Sequence, residues 1–431
     1  MPFTTRLLPA RSPKLRLGAL GALGVAWGVA WGVATPAQAV VEVAVQLDSS
    51  WASDSNPLRL ADSNPAANPV QGRQSDSLMS VDARAALITP LLSDSTRLEI
   101  TASQGRRQYR QQSQLNHQAQ QFEARLLWEA TPLLRGRVSY ATDERLYQPQ
   151  NSVQVVRDLV RQQTTGSEVA LRATPELEVP LTLERVSVRH DAAQNQYLDR
   201  NDNAVQLALR HQSPLGSTLT VGQRRLSVDY PNRSPADVAV LDDRYRDQLS
   251  FVEVDWVYSP LTRLGGRLGH LQRSYQNLGP NNFSLMVGNL SAGYQFSPMS
   301  RVDVEWFRQV YDSATPSTLY YLASGVRLGL GWRWTELTRL RLLANHERQQ
   351  NQPGQLGGLP SQPDNLRTRL GASLDYSLAR GWRAYVEGSR DRFVSVNGGA
   401  AIAQNVVRLG LEYTYESLAG TAERGRLGRR P

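Results

Sequence analysis

A short turn mark recurs along this chain and limits what it can fold into. Its clearest copy is Tyr258-Ser259-Pro260-Leu261-Thr262-Arg263-Leu264. Further copies are Ile88-Thr89-Pro90, Ala130-Thr131-Pro132, Ala173-Thr174-Pro175, Gln212-Ser213-Pro214 and Phe296-Ser297-Pro298. Two lack the proline, Trp334-Thr335-Glu336 and Leu378-Ala379-Arg380-Gly381-Trp382. Proline has no amide donor and a fixed φ, so it ends a strand and suits a tight turn. From Pro90 to Ala379 the marks stand 38 to 46 residues apart. A period near 40 signals a repeat architecture.

The residues between the marks decide which repeat. Leu322, Val326, Leu328, Leu330, Trp332 and Trp334 share one parity, and Arg327 and Arg333 share the other with small residues. Strict alternation describes a strand with one apolar and one polar side. A β-propeller also repeats near 40 residues, but it fits four short strands into each blade. Here each repeat holds two strands of about 11–13 residues, the length that tilted membrane-spanning strands need. The reading is an all-β, transmembrane antiparallel barrel of about 18 strands, with 16 attached to the eight marks and one more at each end.

The N-terminus carries an export signal. Arg6, Arg11, Lys14 and Arg16 precede an uncharged apolar run from Leu17 to Val33, and Ala37-Gln38-Ala39 supplies an A-x-A cleavage site. This predicts a signal peptide over 1–39, a barrel over 40–417 and a disordered basic tail over 418–431. Without cysteine the chain has no lipoprotein anchor, disulfide or thiolate site. The formal charge of +9 falls to +5 once the leader's four basic residues are gone. Nucleic acid is excluded as a partner by export. The polar-leaning composition suits a barrel, in which only half the strand residues face lipid.

Taken in order, Val41 to Trp51 is the first predicted strand and Leu78 to Ile88 the second, leading into the turn at Pro90. Connections at the marks are short. The others are long and polar, as in Pro231 to Asp243, the best candidate for a loop that narrows the lumen. Short periplasmic turns against long extracellular loops is the outer-membrane pattern. Trp128, Tyr258, Phe296, Trp332, Trp334, Trp382, Tyr413 and Tyr415 lie at the short-turn end, where an aromatic girdle belongs. The last strand, Arg408-Leu409-Gly410-Leu411-Glu412-Tyr413-Thr414-Tyr415, resembles the C-terminal assembly signal of such barrels, carried by Arg408, Gly410, Tyr413 and Tyr415.

Catalytic patterns are missing. His117, His190, His211, His270 and His346 are scattered without metal-ligand spacing. There is no G-x-S-x-G elbow, no S-x-x-K and no phosphate loop. His190-Asp191 reads as a solvated pair at a strand end. The expectation is a non-enzyme without cofactor or metal.

The polar faces are more informative. Glu253 and Asp255 alternate with Val252, Val254 and Trp256. Arg301, Asp303 and Glu305 alternate with Val302, Val304 and Trp306, and Arg339 and Arg341 with Leu340 and Leu342. An Arg facing lipid at the midplane costs about 2–4 kcal/mol. These charges, with Arg327 and Arg333, are therefore predicted to line the lumen. They serve barrel stability, a polar conduit, or both.

After the first strand stands Asp54-Ser55-Asn56-Pro57-Leu58-Arg59-Leu60. With the signal peptide, the strand-turn-strand repeats and the closing Arg/Tyr strand, the chain resembles the EpsL-type outer-membrane proteins, linked to exopolysaccharide synthesis and export in Gram-negative bacteria with an exosortase system. The resemblance implies a conduit for polysaccharide. Its expected partners are outer-membrane lipid, the barrel assembly machinery, the polysaccharide and periplasmic export components. The alternatives are a general small-solute porin and a structural or docking barrel with a plugged lumen.

Overall fold

The structure is a computed structural model, and it describes residues 41–60, 75–93, 95–147, 157–313, 318–352, 363–396, 401–418 and 420–424. The leader with Ala37 and Ala39 lies outside the described residues, as do 425–431 of the tail. The described chain forms one antiparallel sheet of 18 strands in which β1 (Glu42–Asp54) pairs with both β2 (Asp76–Ser93) and β18 (Ala401–Glu416). The sheet therefore closes on itself, and no strand is left with unpaired edge amides.

In chain order come β3 (Thr96–Tyr109), β4 (His117–Thr131), β5 (Leu134–Leu146), β6 (Leu159–Arg172), β7 (Leu177–His190) and β8 (Arg200–Gln212). Then follow β9 (Thr218–Asp229), β10 (Arg244–Ser259), β11 (Thr262–Tyr275), β12 (Phe283–Ser297) and β13 (Ser300–Asp312). The last before β18 are β14 (Tyr320–Arg333), β15 (Thr338–Gln352), β16 (Asn365–Ala379) and β17 (Trp382–Ser395). Every strand pairs with its sequence neighbour. One of the two-residue turns, between Ala379 and Trp382, uses Gly381 at φ 79, a conformation that side chains with a Cβ resist. The first turn departs from expectation. Pro90 sits inside β2, opposite Arg97, and the register shifts between Pro90 and Ser93, so the reversal falls beyond Ser93. Near the sheet's end the N–H that proline lacks costs a single ladder bond.

Alternation fixes two faces. Along β10, Tyr245, Asp247 and Phe251 are buried while Arg244, Arg246, Gln248, Val252, Val254, Trp256 and Tyr258 are exposed. The exposed set meets the exposed set of each neighbour, because antiparallel partners share a face. Contacts that skip strands assign the inside. Arg224 of β9 reaches Glu184 of β7, Arg135 of β5 reaches Glu178 of β7, and Tyr385 of β17 reaches Asp48 of β1. Only the concave side brings such residues together.

The outward face carries an apolar band that ends in aromatics at the short-turn end. Trp128, Tyr258, Phe296, Trp332, Trp334, Trp382, Tyr413 and Tyr415 all share the outward parity. Trp256 meets Tyr258 edge-on at 5.3 Å, and Trp332 stacks on Trp334 at 5.8 Å. Such rings sit at the headgroup level, where one end is apolar and the other wet. No helix among the described residues is long and apolar enough to cross a membrane; the strands do so.

The start of the tail is ordered, contrary to the expectation of disorder from 418. Residues 421–424 form one α-helical turn, α2; the other α-helix among the described residues is α1, Pro235–Leu241. The Glu416 carboxylate accepts from the amides of Gly420 and Ala422, the Thr421 hydroxyl donates to Glu42, and Ala422 packs on Ala44 and Ala86. Glu416 faces inward opposite Ala44, so it draws the turn against the periplasmic rim.

Candidate functional site: a charged interior

The interior face begins with the charges that alternation singles out. Glu253, Asp255, Arg301, Asp303, Glu305 and Arg327 line one interior cavity of about 660 Å³, together with Arg263 and Arg267. Arg333, Arg339 and Arg341 share that face through the pairs Arg333↔Arg339, Arg341↔Gly331 and Gly331↔Arg301.

Most of these charges are neutralised in place. Arg301 Nη2 donates to Asp303 at 2.7 Å, Arg327 Nη1 to Glu305 at 3.1 Å, and Arg341 Nη2 to Asp375 at 2.9 Å. Arg267 lies 3.7 Å from Glu253 and stacks on the Phe251 ring. Planar guanidinium forks suit this work, because they bind carboxylates and aromatic faces at once. Three arginines are different. Arg263, Arg333 and Arg339 have neither an ion pair nor a side-chain hydrogen bond among the described residues. Arg333 and Arg339 face one another across the last β14–β15 pair, beside the periplasmic turn. Like charges placed directly opposite repel; Asp375, across from Arg339 on β16, is taken up by Arg341 and Arg383.

The extracellular half holds a buried polar network that alternation does not reveal. Asp312 closes β13 with the parity of outward Val302, Val304 and Trp306, yet its carboxylate lies inside. It accepts from Arg273 at 2.8 Å, Arg200 at 2.9 Å, Tyr230 at 3.0 Å and Tyr245 at 2.6 Å. Arg273 also grips Asp247 with two nitrogens, at 2.7 and 2.8 Å. One carboxylate thus ties β8, β10, β11 and β13 together. Val228, Tyr230, Tyr245, Tyr275, Leu278, Leu319 and Tyr320 pack around it.

A second inner cluster comes from the stretch after β1. Leu58 and Leu60 are buried with Tyr109, Leu115 and Leu146. Asn56 closes this small loop on itself: its Nδ2 donates to the Leu60 carbonyl at 2.8 Å, and its Oδ1 accepts from the Leu60 amide at 2.9 Å. The same Nδ2 donates to the Ala403 carbonyl at 3.0 Å. Arg59, at φ 54, lies 3.6 Å from Asp391 and donates to Gln404. The segment therefore crosses from β17 and β18 toward β3 and β5. The only sequence signal was an apolar Leu-x-Leu inside a polar loop.

The loop singled out as the candidate for narrowing the lumen is ordered by its own contacts. Residues 230–243 hold α1, started by a capping box between Ser234 and Asp237. Asp242 then ties the loop to the β11–β12 connection, accepting from the amides of Asn277 and Leu278 at 2.7 and 3.0 Å. Burial pushes the Asp242 carboxyl up, but these amides, that of Arg244 and the Asn277 side chain together hold it below the usual carboxylate range. His190 does not form a solvated pair with Asp191. It is buried and meets Asp158 at 2.7 Å, which also accepts from Asn195 and the Ala192 amide. Among the described residues no group of His, Asp and Glu is gathered to hold a metal.

In the closing strand Arg408 and Gly410 face inward and Tyr413 and Tyr415 outward. Arg408 lies 3.6 Å from Glu387.

Fold and interior together define an 18-stranded outer-membrane β-barrel with short periplasmic turns, longer extracellular loops and a polar interior. No family model matches the chain, and no curated protein matches it. Among solved structures, Pseudomonas aeruginosa OccK2 (OpdF) is similar with a TM-score of 0.50 at 9% identity, over 88% of this chain and 98% of that one. Pseudomonas aeruginosa OccK5 (OpdH) gives 0.49 at 10% identity, over 88% and 98%. Acinetobacter baumannii OccAB3 gives 0.46 at 10%, over 87% and 99%. At these identities the likeness is one of fold.

Proposed function

We propose that this barrel is an outer-membrane conduit through which an acidic extracellular polysaccharide leaves the cell, as an EpsL-type protein would act. One observation carries the reading. Arg333 and Arg339 stand opposite each other at the periplasmic mouth with no ion pair among the described residues, since Asp375 across from Arg339 is held by Arg341 and Arg383, and Arg263 lines the cavity likewise unpaired. A rim of free guanidiniums attracts anions from the periplasm, while the paired charges of the wall offer weaker, repeated contacts. Export needs that gradient, because a substrate held tightly at one site does not leave. The partners are the surrounding lipid, the assembly machinery, the polysaccharide and periplasmic export components that deliver it to this rim. The chemistry asked of the protein is binding and guidance, with no bond made or broken.

A second reading, a porin for small anionic solutes, draws on the inward-packed groups around Asp312 and Asn56–Leu60. The two separate in one experiment. Deleting the gene and restoring it with Arg333→Glu plus Arg339→Glu should leave barrel assembly intact and reduce secreted polysaccharide severalfold. Normal polysaccharide with altered uptake of small carboxylates would make the protein a porin and end the export reading.

A further inference from the structure

The outward face holds a second cluster of unpaired cations, and it is unrelated to the conduit. Arg185 of β7, Arg225 of β9 and Arg246 of β10 are exposed and line one outward groove of about 840 Å³. Among the described residues, no ion pair or side-chain hydrogen bond reaches any of the three. Their outward neighbours behave otherwise: Arg161 binds Glu144 at 2.7 Å and Arg244 binds Asp229 at 2.7 Å. The carboxylates nearest the groove, Glu184 and Asp247, point to the interior, where Arg224 and Arg273 hold them. Outward Asp229, one step above the row of Arg246, is taken by Arg244, so the unpaired charge at the groove is cationic.

Register sets its shape. Arg185 pairs across to Asn203, Asn203 to Ser227 and Ser227 to Arg246, so these four form one row across the strands. At about 4.8 Å per strand, Arg185 and Arg246 are roughly 14 Å apart. Arg225 sits between them, one outward step lower. Directly beneath are Leu183 and Val205, 46% and 48% exposed.

Height fixes the level. Arg246 is twelve residues along β10 from Tyr258 of the periplasmic girdle. At about 3.3 Å per residue and a tilt near 40°, that is roughly 30 Å of height, just beyond an apolar band about 25 Å tall. The arginines therefore stand at the headgroup level of the outer leaflet, with exposed leucine and valine below them at acyl depth.

We infer that this groove binds a phosphorylated, acylated glycolipid of the outer leaflet. Its phosphates would meet the three guanidiniums, its sugars Asn203, Ser227 and Gln248, and its acyl chains the apolar strip. A planar fork matches phosphate geometry, and each cation near a membrane surface contributes an independent attraction to anionic headgroups. The inference rests on the outward face alone and stands or falls separately from the export reading.

The test is native mass spectrometry of the full barrel in detergent, with diphosphoryl lipid A as the probe. Wild type should retain a discrete lipid A adduct. Arg185→Gln, Arg225→Gln and Arg246→Gln together should weaken retention by roughly 100-fold, while Arg244→Gln, on a residue already paired, should not. A heat-shifted gel band confirms that each variant is assembled. A second measurement needs no variant: lipid A stripped of its phosphates should be held far more weakly by wild type. Equal retention by wild type and the triple variant would overturn the inference. So would equal retention of phosphatidylglycerol, or binding of inorganic phosphate without lipid A.

Discussion

The ring of Tyr385 lies across the Cα of Gly410, so closely that a Cβ at that glycine would stand 2.1 Å from the tyrosine Cζ. The hydroxyl continues past β18 and donates to Asp48 of β1, at 3.0 and 3.1 Å to its two oxygens. The seam between the last strand and the first is thus bridged by a side chain that only glycine admits. Gly410→Ala should force the ring off Asp48. Overpacking of this kind costs about 1–3 kcal/mol. The expected outcome is a smaller heat-resistant band on gels and a lower urea midpoint. Tyr385→Phe keeps the ring and should lose only about 1 kcal/mol.

The interior assignment of β13 is open to direct labelling, because the chain has no cysteine of its own. Asp303→Cys should react with a water-borne, membrane-impermeant thiol reagent. Val304→Cys, 38% exposed but on the outward face, should not. The reverse pattern would turn the parity of the strand around and remove the lumen assignment with it.

Asp312 is the keystone of the extracellular half. Asp312→Ala leaves Arg200 and Arg273 without the carboxylate they share. Removing one partner of a buried ion pair costs about 3–5 kcal/mol. The variant should unfold at lower denaturant and show raised single-channel conductance in planar bilayers. Unchanged conductance in an assembled Asp312→Ala barrel would mean that this network does not limit the lumen.

Acid should loosen the mouth. The folded Asp242 carboxyl titrates below the usual 3.8 because amide donors outweigh burial. A depressed carboxyl contributes stability above its unfolded value, and that contribution is lost as pH falls through the folded value. Protection of the Asn277 and Leu278 amides from hydrogen exchange, relative to their intrinsic rates, should therefore be high at neutral pH and fall in strong acid. In Asp242→Asn the same amides should exchange faster already at neutral pH.

Sequence by itself settled the alternation of faces and the number of strands. Each follows from local physics: period 2 sends Arg301, Asp303 and Glu305 to one side of β13, and each turn mark joins two strands. Antiparallel pairing then carries the parity from Glu253 through Arg267 to Arg327 without further information. What only the tertiary structure decided are the chords across the barrel. Asp312 has outward parity, but near the extracellular end it turns inward and its neighbours are set by strands up to five places away. Asn56–Leu60 reads as loop in the sequence, and becomes a packed inner segment because the barrel offers it Tyr109, Gln404 and Asp391. The turn at 421–424 looked like disordered tail until Glu416 and Ala44 supplied its rim. Contacts of this kind depend on barrel diameter and closure, which no run of neighbouring residues encodes.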